Sequence, residues 1–225
     1  MREKKIDKFS WDNISIDKYY QMMDILNDEE DDDITKNVKL VAVVTDRPEE
    51  EIWNMDLTQA GDYISKLIFL NKFDIPKNPD IKIKLPNYKL RVIKDLSKIN
   101  MAQYVDYQNF ATLPFREGID KILSIFLIPE GYKYNTDYDI LDLQKEIRQN
   151  LSFRVAEGLL GFFLRKYGEL LIDSLASCKK MMKKMKDKEK REQMEMKIKE
   201  LTNQFKNLTS LIGSCSSTGL RRGQR

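Results

Sequence analysis

The residue types that carry most enzyme chemistry are scarce in this chain. It has no histidine. That removes Ser-His-Asp and Cys-His nucleophilic catalysis, Cys/His zinc fingers and His-ligated metal centres. Its two cysteines, Cys178 and Cys215, cannot complete a four-thiolate zinc site or build a disulfide framework, and reduced thiols in a cytosol fit them best. Cys215 has no recognisable base beside it and is not expected to be reactive. There is no Walker loop, dinucleotide fingerprint or nucleophile elbow. Pairs of acids abound, but among 36 Asp and Glu any chosen pair is uninformative. The expectation is a non-enzymatic protein with no cofactor and no metal.

Three other clusters have chemical potential. Asp28 to Asp33 is a run of six acids. A calcium loop needs ligands at alternating positions and a glycine for its turn. The run has neither, so a solvated loop is expected. Residues 129–140 hold Tyr132, Tyr134 and Tyr138, which could stack on bases. Asp137 and Asp139 would repel phosphate there, so packing tyrosines are expected instead. Residues 179–191 carry eight basic groups against Asp187 and Glu189. Lys179, Lys180, Lys183 and Lys184 are its candidate polyanion contacts, and such binding would be salt dependent. The patch lacks interleaved aromatics, so a solvated helix face is favoured, and an acidic partner segment is a further use.

The elements that would position these groups follow from periodicity. Ile81, Ile83 and Leu85 alternate with lysines, as do Tyr88, Leu90 and Val92 with Lys89 and Arg91. Pro86-Asn87 separates the two runs, so residues 81–93 read as a β-hairpin. An isolated hairpin is barely stable in water. This one must lay its apolar face on the following helices: one begun by Asn100 as N-cap, with Met101, Tyr104, Val105 and Phe110 at helical spacing, and one carrying Ile119, Ile122, Leu123, Phe126 and Leu127 up to Pro129. Before the hairpin, residues 16–26 read as a short helix with Asp17 as cap, and 34–45 as a helix. Pro48 suits the first position of a further helix that opens with Glu49, Glu50 and Glu51. Residues 57–73 read as one longer helix, ended by Pro76 and Pro79. Residues 140–151 are a polar helix, and Ser152 caps an apolar helix over 153–175. No apolar run reaches the roughly 18 residues of a membrane span, and the charged start is unlike a signal peptide.

Residues 174–212 contain no proline and no internal glycine, and are rich in good helix formers. Two stripes step by four and three. One is Leu171, Leu175, Cys178, Met182 and Met185; the other is Met194, Ile198, Leu201, Phe205, Leu208 and Ile212. Met185 and Met194 are nine apart, which places the stripes about 180° apart on one helix. Either a long helix serves neighbours on opposite faces, or the chain reverses within 186–191 and the stripes zip together. The methionines suit core packing or a surface that adapts to partner helices. The expected architecture is mainly α with a small β-hairpin (α+β): a helical domain over 1–165, a long helix or helical hairpin over 166–212, and a flexible tail over 213–225.

One resemblance adds to this picture. Thr45 to Glu51 resembles a recurrent "AiLtg-spEE" segment, and Ala102 to Asp106 a "-GQyiDl-" segment, of tail assembly chaperone-type proteins of long-tailed bacteriophages. Ala102 stands where glycine is common. The match covers roughly residues 14–165, and the order and spacing of the segments carry it. The resemblance implies a chaperone in the cytoplasm of the infected bacterial host. It would cover apolar helices of the tape measure protein and bring tail-tube subunits to it. Met182, Met185, Met194, Ile198, Leu201, Phe205 and Leu208 are the expected partner contacts. The alternatives are a structural virion component, such as a connector or head-packaged protein, and an accessory nucleic-acid-binding protein using residues 179–191.

Overall fold

The computed structural model describes residues 9–76, 82–184, 189–196, 198–199 and 202–203. The chain divides into two compact units, residues 1–158 and 159–225. The described residues are mainly helical with one small antiparallel sheet, the α+β class expected.

The first unit starts from a strap over residues 9–15. Its Trp11 is buried, donates Nε1–H to the Phe69 carbonyl at 3.1 Å and packs edge-on against Phe73 at 4.6 Å between ring centroids. Helix α1 follows, Ile16–Asn27. Its N-cap is Ser15, which accepts from Lys18 N–H at 3.2 Å; Asp17 is not the cap but lies in the first turn. A cap must sit before the first helical residue, and serine satisfies an orphan donor there. Helix α2 spans Asp33–Thr45. The acidic run helps to build it rather than merely solvating a loop. Asp32 caps the helix, accepting from Thr35 N–H at 2.7 Å, and Asp31 pairs with Lys39 at 2.5 Å.

The turn after α2 places Asp46 in the left-handed region, φ 57°, where its carboxylate meets Lys18 at 2.7 Å. Helix α3 is short, Glu49–Trp53, with Pro48 at the N-cap rather than the first helical position. Helix α4 runs Leu57–Lys66 and then tightens to a 3₁₀ turn over Leu67–Asn71. The expected single helix over 57–73 is therefore broken. The Phe69 carbonyl accepts from Trp11 Nε1–H and, three residues on, from Lys72 N–H, which ends the α ladder.

The hairpin comprises β1, Lys82–Lys84, and β2, Lys89–Val92. Ile83, Leu85 and Leu90 face the core. Its tip is tied down: Asn87 donates to Glu146, and Tyr88 O–H donates to Asp142 at 2.7 Å. Helices α5, Met101–Phe110, and α6, Phe115–Phe126, follow. The expected helix through Leu127 stops at Phe126, because Leu127–Pro129 is a third strand, β3, paired antiparallel with β2. All three β3 residues are buried, and a short, wholly buried apolar run has no period to separate strand from helix.

Helix α7, Ile140–Asn150, packs against α1 and α6. Helix α8 starts at Phe153 and runs to Lys184. Ser152 Oγ accepts from Val155 N–H at 3.2 Å, as a cap does. Phe153 N–H donates to the Ile14 carbonyl at 2.7 Å, and its ring stacks on Tyr19 at 3.5 Å. Gly158 lies so close to Pro76 that a Cβ would come 2.9 Å from its carbonyl oxygen. Three residues on, a Cβ at Gly161 would meet nothing nearer than Arg165 Nη1 at 3.5 Å, an ordinary contact. In the second unit α8 continues through buried Leu159, Leu160, Phe163 and Cys178.

Arg148 of α7 joins three helices. Its Nε donates to Asp17 at 2.6 Å, and its Nη1 donates to Asp120 at 3.1 Å and to the Arg116 carbonyl at 3.0 Å. Asp120 is buried. Removing its cation leaves a desolvated carboxyl without its partner, which is strongly destabilising in full burial and less so where, as here, the arginine is part-exposed. Arg148→Ala is expected to lower unfolding free energy in urea by about 2–3 kcal/mol. Asp120→Asn in the same chain is expected to return part of that loss.

Candidate partner interface

The most unusual surface lies on α5. Asn100 caps this helix in a full capping box: its side chain accepts from Gln103 N–H at 2.9 Å, and Gln103 Oε1 accepts from Asn100 N–H at 3.0 Å. The Gln103 amide then reaches the Ile125 carbonyl at the end of α6, at 2.8 Å. That bond fixes the rotation of α5. Gln103 is 3% exposed, whereas Met101 and Val105 are 75% and 47% exposed. Ala102 and Tyr104 are exposed as well. Of the apolar stripe expected to pack inward, Met101, Tyr104 and Val105 face out and Phe110 is half-buried, while a polar residue faces in. A buried amide must be hydrogen-bonded; this one is, and its neighbours turn outward as a result.

Asp106 completes the arrangement. It accepts from Tyr134 O–H at 2.7 Å, which locks the 129–140 loop onto α5. Asn135 and Gly131 shape that loop with positive φ of 51° and 87°. Tyr134 is buried, whereas Tyr132 is exposed and packs edge-on against Tyr138 at 6.2 Å. Burial and the Asp106 bond together push the Tyr134 hydroxyl far above its ordinary range. Tyr88 is pushed up to about 12, chiefly by its bond to Asp142. Both act as neutral donors at any physiological pH. The residues of the 102–106 segment thus do structural work: they seat α5, α6 and a loop while presenting Met101 and Val105.

A second exposed apolar group follows the other sequence segment. Thr45 Oγ1 donates to the Val41 carbonyl at 2.7 Å. Arg47 pairs with Glu51 at 2.8 Å and lies over Tyr63 at 5.4 Å. Ile52 of α3 is buried, while Trp53 and Leu57 are exposed.

In the second unit the expected contacts divide. On α8, Met182 is half-buried and Met181 exposed, while Lys179, Lys180 and Lys183 are all exposed. Lys184 is the last helical residue of α8. Residues 189–196 are helical, with Met194 and nearby Ile198 half-buried and Met196 exposed. Cys178 is free and buried. Met185, Leu201, Phe205 and Leu208 lie outside the described residues. So does 185–188, on which the choice between one helix and a hairpin turns.

Among the described residues no group of three or more His, Cys, Asp or Glu could hold a metal ion. No described helix is long and apolar enough to cross a membrane. Shifted acids are mostly explained by the fold. Burial raises Asp120, with Arg148 pulling the other way, and the bond from Arg116 lowers Asp24. Comparison with known proteins finds no match: no protein-family model, no curated protein and no solved structure is similar to the chain.

Glu157 differs from these acids. It lies in α8, 6% exposed, with Oε2 buried and lacking any hydrogen-bond partner. Burial pushes its carboxyl up to about 7 from an ordinary 4.5. Below about pH 4.5 both folded and unfolded chains hold the proton. As pH rises towards 7 the unfolded chain ionises first, so stability falls across that window and levels off above it. The full effect is about 3 kcal/mol. Chemical denaturation near pH 5 and near pH 8 is expected to show this fall in the wild type and to lose most of it in Glu157→Gln.

Proposed function

We propose that the protein is a non-enzymatic morphogenesis factor of a tailed bacteriophage, acting as a tail assembly chaperone in the infected cell's cytoplasm. In this reading it shields apolar helices of the tape measure protein and brings tail-tube subunits to them. The observation that carries the reading is the outward apolar face of α5, with Met101 and Val105 exposed above a buried, fully bonded Gln103. An exposed apolar stripe on a well-anchored helix is a surface for another amphipathic helix. It lies in the segment that resembles the chaperones. Exposed Met181 and Met196 of the second unit offer adaptable side chains for the same task.

The reading is tested by capture from infected cells alongside mass spectrometry of purified virions. The expected result is co-purification with tape measure or tail-tube protein from cells, and absence from particles. Stoichiometric presence in particles would replace the chaperone with a structural virion component. Met101→Asp with Val105→Asp is expected to reduce capture at least tenfold. Because both side chains are exposed, unfolding free energy is expected to stay within about 0.5 kcal/mol of wild type.

A further inference from the structure

The solvent face of the hairpin carries four cations in an arrangement that opposes its own folding. Strands β1 and β2 pair antiparallel with Lys82 opposite Arg91 and Lys84 opposite Lys89. Directly opposed residues share a face, about 5 Å apart at Cβ, and like charges so placed are destabilising. Along a strand, alternate residues are about 7 Å apart. Each of the four side chains is therefore rooted within one Debye length of two others, about 8 Å at physiological salt. All four residues are exposed, while Ile83 and Leu90 between them are buried on the other face.

Among the described residues no carboxylate is paired with Lys82, Lys84, Lys89 or Arg91. The Arg91 side chain donates to the Tyr132 carbonyl, at 3.3 Å. Glu130 has its N–H on the Lys89 carbonyl at 2.8 Å, yet its carboxylate pairs with none of the four. Lysines on β1 alone would be ordinary protection of an edge strand. Lys89 and Arg91, however, are on β2, the central strand of the sheet. The tip of the hairpin is held on α7 by Asn87 and Tyr88, so the charges are on a fixed support.

We infer that this hairpin face is a binding site for the phosphate backbone of a nucleic acid, contacted without regard to sequence. The four outward positions, 82, 84, 89 and 91, include no apolar or aromatic side chain. A protein partner of standard kind needs an apolar centre to its interface, whereas phosphate binding runs on charge and released counterions. At β3 the same face is covered, with Ile128 opposite Arg91 buried. The site is therefore confined to the two-stranded ribbon. This inference is independent of the chaperone reading and uses none of the α5 surface.

The test is fluorescence anisotropy of full-length protein with a labelled single-stranded DNA oligonucleotide, in about 50 to 200 mM salt. Four phosphate contacts predict a log–log slope of about −3, and a loss of roughly fifty-fold in affinity across that range. Lys84→Glu with Lys89→Glu is expected to weaken binding at least tenfold and flatten the slope. Lys84→Gln with Lys89→Gln is expected to give a smaller loss in the same direction. Lys84→Glu alone is expected to raise the melting temperature, because it converts a like-charge pair into an opposite one. Absence of binding at low salt would overturn the proposal. So would binding unchanged by the hairpin variants but removed by Lys179→Glu with Lys183→Glu on α8. Preferential binding of a polyglutamate peptide over DNA would also overturn it, in favour of an acidic protein partner.

Discussion

The first unit depends on the burial of one carboxyl. Asp120 sits on the inward side of α6 among Ile119, Leu123 and Ile147, all fully buried. A charge in that position needs a partner, and Arg148 supplies it from α7 while also holding Asp17 on α1. The guanidinium lies 5.9 Å from the Tyr20 ring centroid, and Arg116 lies 5.1 Å from the same ring. The planar guanidinium presents its donors in a fixed fork, so it holds several acceptors at set angles, whereas a lysine ammonium is a point charge with freely rotating donors. The consecutive helices α6 and α7 are thereby tied to α1, whose Asp17 lies 131 residues before Arg148 in the chain. The chain ends of this unit are closed by other means: a backbone bond from Phe153 to Ile14 and the Tyr19–Phe153 stack.

Much of this architecture was legible because local signals agreed with the final structure. The alternation of Ile83 and Leu90 with lysines defines the hairpin. Asn100 and Ser152 read as N-caps, and each side chain accepts the backbone bond that a cap makes. Two of the failures share a physical cause: each depended on a long-range hydrogen bond. Trp11 bonding Phe69 breaks the 57–73 helix, and β2 drawing Leu127–Pro129 into the sheet ends α6 early. Neither partner is near in sequence. The charge run at 28–33 was half legible; its composition marks a loop, but only the geometry shows Asp31 and Asp32 tying that loop to α2.

The candidate interface was hidden for a different reason. Met101, Tyr104, Val105 and Phe110 at helical spacing are read as a buried stripe, since period reports a face and not which way it points. Gln103 was the available signal. A helix whose polar residue is capped on one side and bonded to a distant carbonyl on the other has its rotation fixed by hydrogen bonds. With Gln103 turned inward and bonded to the Ile125 carbonyl, Met101, Tyr104 and Val105 are left on the exposed side of α5.

The hairpin and Glu157 show the same principle from the opposite side. In α5 a satisfied polar group justifies the exposed apolar ones. On the hairpin, four like charges share a face and pair with no carboxylate among the described residues, and in α8 a buried carboxyl oxygen has no donor among them. Folding alone gains nothing from either arrangement. The rest of the first unit shows that this sequence can pair charges when they matter to the fold, as it does for Asp31, Asp24 and Asp17. Local conflicts that persist beside such pairing mark positions where something other than the isolated fold sets the residue. For the hairpin the charge pattern defines what is missing, a polyanion. For Glu157 the missing partner is a single hydrogen-bond donor, and protonation of the carboxyl is the change within the chain that relieves its burial.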